Sequence, residues 1–243
     1  MTSQAPPLHI TELHKSYQMG SSVVHALAGL DLTIPAGGFT VAMGPSGSGK
    51  STLLNLVGGL DRPTSGQILV NGQHVDALNE NDLAIYRRKV VGFVFQSFNL
   101  VPSMTALENV AFPMRFSNIP RRKRQARAME LLERVGLSDR AYHRPKELSG
   151  GQQQRVAVAR SLVNDPYLIL ADEPTGNLDT ASGLGIMKLL AELHASGRTV
   201  LVVTHDLRMR AFATDVVHML DGRIVSEAEY EAASNLMVDE ESN

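Results

Sequence analysis

Apolar and polar positions alternate strictly along Leu30-Asp31-Leu32-Thr33-Ile34, the period of a half-buried strand, and Pro35-Ala36-Gly37-Gly38 closes it with a turn. The apolar run Phe39-Thr40-Val41-Ala42-Met43 reads as a second strand, and Thr52-Leu53-Leu54-Asn55-Leu56-Val57 has the spacing of a helix. Gly66–Val70 and Gln73–Val75 flank Asn71-Gly72, a pair suited to the positive φ angles of a two-residue hairpin. An antiparallel β layer is expected beside the strand and helix that precede it.

The pattern then changes. Val90–Phe95 is a candidate buried strand ending at Gln96. Thr105-Ala106-Leu107-Glu108 has the form of a capping box, and Arg121–Val135 predicts a helix with Leu131, Leu132 and Val135 on its apolar face and Gly136 as its stop. From Gly150 onward helices and strands alternate: a helix to about Asn164, the strand Tyr167–Ala171, a helix near Ala181–Ser196, and the strand Thr199–Val203. That order argues for a parallel sheet. Val216–Leu220, Asp221-Gly222 and Arg223–Ser226 predict a last hairpin, before a frayed acidic tail at Asp239–Asn243. The fold class expected is α/β: one domain over 1–243, with a core and β subdomain from 8–96 and 148–226, a helical subdomain over 97–147, and a short tail over 227–243.

Composition narrows the picture without setting it. With 43% hydrophobic residues the chain can fill a large core, and a formal net charge of −2 gives no basic field, so no nucleic-acid partner is expected. The absence of cysteine removes disulfides, thiolate metal sites and a catalytic thiol. Met1–Pro7 has no basic or apolar segment of a signal peptide, and no apolar run reaches the ~18–20 residues of a membrane span. A cytoplasmic location is expected.

Chemistry concentrates in Gly44-Pro45-Ser46-Gly47-Ser48-Gly49-Lys50-Ser51, which fits G-x-x-x-x-G-K-[ST] between an apolar strand and a helix opening at Thr52. Small residues let successive N–H groups face phosphate oxygens, Lys50 can reach the outer phosphates, and the Ser51 hydroxyl can hold Mg²⁺. Asp172-Glu173 ends the strand before the second helix. A carboxylate there can hold Mg²⁺ beside a phosphate loop, and its neighbour can act as general base. Leu148-Ser149-Gly150-Gly151-Gln152 opens another helix, either as an ordinary N-cap or as a second anion site; the latter needs a second phosphate or a second chain. Arg121-Arg122-Lys123-Arg124 with Arg127 reads first as a solvated helix face, with attraction to anionic lipid headgroups or an acidic partner loop as the alternative.

Leu148–Gln152 followed by Gln153-Gln154-Arg155 resembles the signature motif of ATP-binding-cassette (ABC) ATPases, and the phosphate loop and Asp172-Glu173 match that family's Walker A and Walker B motifs in the same order. The likeness runs from about Leu8 to about Ser226. It implies a P-loop NTPase core, ATP and Mg²⁺ as ligands, and a set of roles. Tyr17 would stack on adenine, and Gln96 would sense Mg²⁺ and the attacking water. Asp179 of Asn177-Leu178-Asp179 would couple two subunits, and His205 would contact the γ-phosphate and orient Glu173. Ser149, Gly150, Gly151 and Gln152 would contact the nucleotide held by a partner's Lys50, in a head-to-tail dimer. Gly176-Asn177 stands where many relatives have Ser-Ala.

The segment Phe98–Met104 after Gln96, apolar and expected to be mobile, would help receive a membrane permease. Phe95–Pro102 and Leu170–Asp179 resemble the branch serving lipoprotein release, macrolide and antimicrobial-peptide export, and cell division. The chain would then lie on the inner face of the cell membrane through its permease. The competing reading is a membrane-independent ABC ATPase acting in assembly or repair.

Overall fold

The computed structural model describes residues 8–233, so Met1–Pro7 and the acidic tail Asp239–Asn243 lie outside the described residues. Two sheets share the N-terminal half. Strands β1 (Leu8–Met19), β2 (Ser22–Ile34), β4 (Ser65–Val70) and β5 (Gln73–His74) form an antiparallel sheet in the order β2-β1-β4-β5. The larger sheet has the order β10-β9-β3-β8-β7-β6, from β3 (Phe39–Met43), β6 (Val91–Val94), β7 (Leu168–Asp172), β8 (Thr199–Thr204), β9 (Asp215–Leu220) and β10 (Arg223–Val225). Every pairing in it is parallel except β9 with β10.

Alternation along the central strands builds two cores. Phe39, Val41, Met43, Ile169, Ala171, Val200 and Val202 face one side, against helices α5 (Gly150–Ser161) and α6 (Thr180–Ala195). Ala42, Leu168, Leu170, Leu201 and Val203 face the other, against α1 (Lys50–Val57) and the antiparallel sheet. Strands buried on both faces read as continuous apolar runs, which is how these three appear in the sequence.

The expected hairpin turns form as read, with positive φ at Asn71 and Gly72 and again at Asp221 and Gly222. Between β6 and α5 the chain is helical: α3 (Ala106–Ala111) carries the expected Thr105–Glu108 capping box, and α4 (Arg121–Arg134) stops before Gly136 at φ 71°. Two elements differ from the sequence reading. Helix α2 (Glu80–Lys89) was not expected, because only Leu83 and Tyr86 are buried and its mean character is polar; Asn79 caps it by accepting the Asp82 N–H at 3.0 Å. Strand β1 was not delimited, because Glu12 takes φ 48° and shifts the register between Ile10 and Leu13, which breaks the alternation. The final hairpin is more than an appendage. β9 lies beside β3, and the Gly222 N–H donates to the Ser48 carbonyl at 3.1 Å, bracing the glycine loop from below.

Candidate functional site

β3 ends between β8 and β9, and the chain turns through Gly44–Gly49 into α1. Gly49 is the N-cap at φ 95°, and a Cβ there would meet the Ala26 carbonyl oxygen at 2.4 Å. Glycine alone meets both demands. No side chain caps α1 and its first turn holds no acid, so its N–H groups and positive end remain available to an anion. An open cleft of about 740 Å³ lies over this end. Its walls are Ser46, Gly47, Gly49, Lys50, Ser51 and Thr52, the β2 residues Val24, His25 and Ala26, and Gln96, Glu173 and His205.

Lys50 is 8% exposed, and its ammonium donates to the carbonyls of Gly44 and Pro45 at 2.8 Å each. Burial holds it below the usual lysine range, against the opposing pull of Glu173 and Asp172. Carbonyl dipoles are weaker partners for a cation than a phosphate oxygen. The Ser51 hydroxyl donates to Asp172 Oδ1 at 3.0 Å. Burial pushes the Asp172 carboxyl above its usual range; Glu173 adds to this, while the Ser51 bond and the Lys50 charge oppose it. No three His, Cys, Asp or Glu side chains gather into a metal cluster among the described residues. Ser51 and Asp172 are instead the hard oxygen donors that suit Mg²⁺ when phosphate and water complete its shell.

Glu173 sits just past β7 at φ 43°, a region that costs a non-glycine residue about 1–3 kcal/mol. Its N–H donates to the Val203 carbonyl at 2.9 Å. Its carboxylate, 14% exposed, accepts the Thr204 hydroxyl at 2.8 Å on Oε2, and Oε1 lies 2.9 Å from His205 Nδ1. Gln96 reaches the same cleft, and two residues crowd it. The Asn177 amide donates to its carbonyl at 3.1 Å, and a Cβ on Gly176 would stand 2.7 Å from its side-chain nitrogen. In this arrangement a side chain at Gly176 would crowd Gln96, and Asn177 tethers its backbone.

Tyr17 stands outside the cleft lining, on β1 opposite Val24. Its hydroxyl donates to Asp61 at 2.8 Å, and the Lys15 ammonium sits 4.7 Å from the ring centroid while pairing with Asp61 at 2.8 Å. Burial alone would raise the Asp61 carboxyl, but hydrogen bonds from Lys15, Tyr17 and the Arg62 N–H outweigh it and hold the group low. One ring face is therefore fixed by Lys15. Nothing in the sequence signalled Asp61, which lies 44 residues from Tyr17.

A second cleft of about 290 Å³ is lined by Gly136, Leu137, Ser149, Gly151, Gln152, Arg155 and Ser182, and shares no residue with the first. Ser149 is the N-cap of α5: its hydroxyl accepts the Gln152 N–H at 3.3 Å, and Gln152 Oε1 accepts the Ser149 N–H at 2.9 Å. Asp179 caps α6, accepting the Ser182 N–H at 2.9 Å and its hydroxyl at 2.7 Å. The Ser182 hydroxyl and N–H hold the Asp179 carboxyl below its usual range.

A third, apolar cleft of about 860 Å³ is walled by Phe93, Phe95, Phe112 and Phe116 with Arg87, Arg88 and Arg160. Of the segment expected to dock a permease, only Asn99 reaches it. That segment is also tied down rather than loose. Arg160 donates to the carbonyls of Phe98 and Asn99, both at positive φ, and the Asn109 side chain bonds both backbone groups of Val101.

Residues 27–176 match the family model described as ABC transporter, so the chain belongs to the ABC transporter ATP-binding family and carries its P-loop NTPase fold. It is 52% identical over 217 residues to an ABC transporter ATP-binding protein of Thermotoga maritima, covering 89% of this chain and 93% of that protein. It is 49% identical over 224 residues to the macrolide export ATP-binding/permease protein MacB of Hyphomonas neptunium, covering 92% of this chain but only 35% of that longer protein. Among solved structures, the ATP-binding cassette MJ0796, a dimer in a post-hydrolysis state bound to ADP and Pi, superposes with a TM-score of 0.84 at 44% identity, over 90% of this chain and 97% of that one.

Proposed function

We propose that this chain binds ATP with Mg²⁺, dimerises head to tail around it, and hydrolyses it to drive a membrane partner in export, lipoprotein extraction or mechanotransmission. One observation supports the reading: two anion-suited clefts in one chain share no residue, as expected if a second copy completes each. The chain acts as a single nucleotide-binding domain, with 97–147 as its helical subdomain.

Gly44–Thr52 would hold the phosphates, with Lys50 exchanging its two carbonyl partners for phosphate oxygens. Tyr17 would offer its free face to the base. Ser51, Asp172 and Gln96 would hold Mg²⁺, which when bound neutralises phosphate charge. Glu173 takes the proton of the attacking water as that oxygen bonds the γ-phosphorus and the bond to ADP breaks, while Thr204 and His205 fix the carboxylate. Ser149–Gln152 of the partner subunit would close over the γ-phosphate, with Asp179 beside it. The apolar cleft with its three arginines fits a cytoplasmic helix of a permease bearing apolar and acidic side chains. The relatives that carry a permease in the same polypeptide, such as MacB, support that assignment.

Ser149→Asp tests the shared site. Aspartate keeps the N-cap but sets a negative charge where the γ-phosphate would lie. Light scattering should show wild type dimerising with ATP and the variant remaining monomeric, with nucleotide affinity of the monomer unchanged. A variant that dimerises and turns over normally would refute the arrangement. For the membrane partner, a chain found only in the soluble fraction of its host cells would favour an ATPase acting without a membrane.

A further inference from the structure

Two residues beyond the capping box of α5, Gln154 is 0% exposed. Its amide nitrogen donates to the Pro174 carbonyl at 2.8 Å and to the Phe95 carbonyl at 3.3 Å. Phe95 immediately precedes Gln96, and Pro174 immediately follows Glu173. One side chain therefore joins the backbone leaving β6 to the backbone leaving β7, at the two points that carry these cleft residues. Its Oε1 is buried without a hydrogen-bond partner. An amide with an orphaned acceptor is a poor filler for a core position, where methionine has similar size and no polar atom to strand. Such departures from polar satisfaction gather at functional sites.

The geometry asks for such a tie. Glu173 stays at φ 43° only while its surroundings over-determine it. α5 is also fixed further along, where Arg160 donates to the Phe98 carbonyl at 2.8 Å. The helix capped by Ser149, in the second cleft, thus grips the two segments that carry Gln96 and Glu173 into the first.

We propose that Gln154 is a positioning residue that couples the two clefts: when α5 is seated by nucleotide held in the other subunit, Gln154 sets Gln96 and Glu173 for hydrolysis in its own. This rests on the shared-site reading above. The test is Gln154→Met, with Gln154→Glu as a second variant that keeps the shape but faces two carbonyls with oxygen. ADP affinity should stay within about twofold of wild type, while kcat falls on the order of tenfold to a hundredfold, the cost of a small misplacement of reacting groups. Gln154→Glu should fall further at neutral pH. In a Glu173→Gln background, Gln154→Met should still form the ATP-trapped dimer, which separates positioning from assembly. If Glu173→Gln alone gives no trapped dimer, the shared-site reading fails first. If that dimer forms but Gln154→Met keeps wild-type kcat, or loses affinity, melting temperature and kcat together, the coupling role is overturned.

Discussion

Glu173→Gln removes the proposed base while sparing its surroundings. The amide oxygen can still accept the Thr204 hydroxyl, now 2.8 Å from Oε2, and the amide nitrogen can face His205 Nδ1, now 2.9 Å from Oε1. Replacing a charged acceptor by a neutral one weakens the Thr204 bond by about 1 kcal/mol. In a chain of this size that lowers the melting temperature by about 2–4 °C. The backbone strain at φ 43° is the same for both side chains. Loss of a general base costs about 10²–10⁴-fold in rate, which is about 2.7–5.4 kcal/mol in the barrier. The effect on turnover should therefore exceed the effect on folding several-fold. Phosphate release measures the first, thermal unfolding the second, and light scattering with ATP should show a persistent dimer. Turnover within about tenfold of wild type would remove Glu173 from the base role, because the loss would then be smaller than any such base supplies.

Two further predictions concern residues beside the cleft lining. Asp172→Asn should raise stability at neutral pH: burial lifts the Asp172 carboxyl, so the folded state holds its proton more tightly and stability falls as pH rises through the interval from the unfolded to the folded value. The gain over wild type should vanish below about pH 4, where the carboxyl is protonated in both states; a gain that persists there would mean relieved packing rather than charge. Tyr17→Ala should weaken nucleotide binding by about fivefold to a hundredfold, from about 1–3 kcal/mol of base stacking, whereas Tyr17→Phe should retain affinity because it keeps the ring. Equal losses in fluorescence titrations of the two variants would assign the role to the hydroxyl bond with Asp61.

What the sequence disclosed follows the range of the interactions involved. Asn71-Gly72 and Thr105–Glu108 encode their geometry within four residues, and the doubly buried strands announce themselves as apolar runs, so these were legible. β1 hid because one left-handed residue, Glu12, broke its period, and α2 hid because two buried side chains suffice to seat it. Within the cleft, loop residues and the strand-end carboxylates were legible from their spacing. Thr204 and Asp61 were not, since a threonine ending a strand and an acid after a glycine-rich turn are ordinary until folding sets them 2.8 Å from Glu173 and Tyr17. The apolar cleft was not legible, because its phenylalanines come from segments separated by a helix and a loop, and only Asn99 of Phe98–Met104 lines it.

On the proposed shared site, residues of the second cleft would serve two duties. The Ser149 hydroxyl accepts the Gln152 N–H, which occupies an oxygen lone pair and leaves the O–H free to donate. Gln152 likewise uses its Oε1 in the capping box and retains its amide protons. Neither needs to abandon the helix to bind an anion. The N-terminus of α6 also opens here, since Ser182 lines the same cleft and a Cβ on Gly151 would meet its hydroxyl at 2.7 Å. Two helix ends then present positive potential to one cavity. Asp179 offsets the end of α6 by capping it, so on the proposed shared site a phosphate would meet its strongest field at α5, where the charge of Ser149→Asp would act. The variant therefore separates two properties that Ser149→Ala would confound: the helix keeps its cap, and the cleft loses its welcome for an anion.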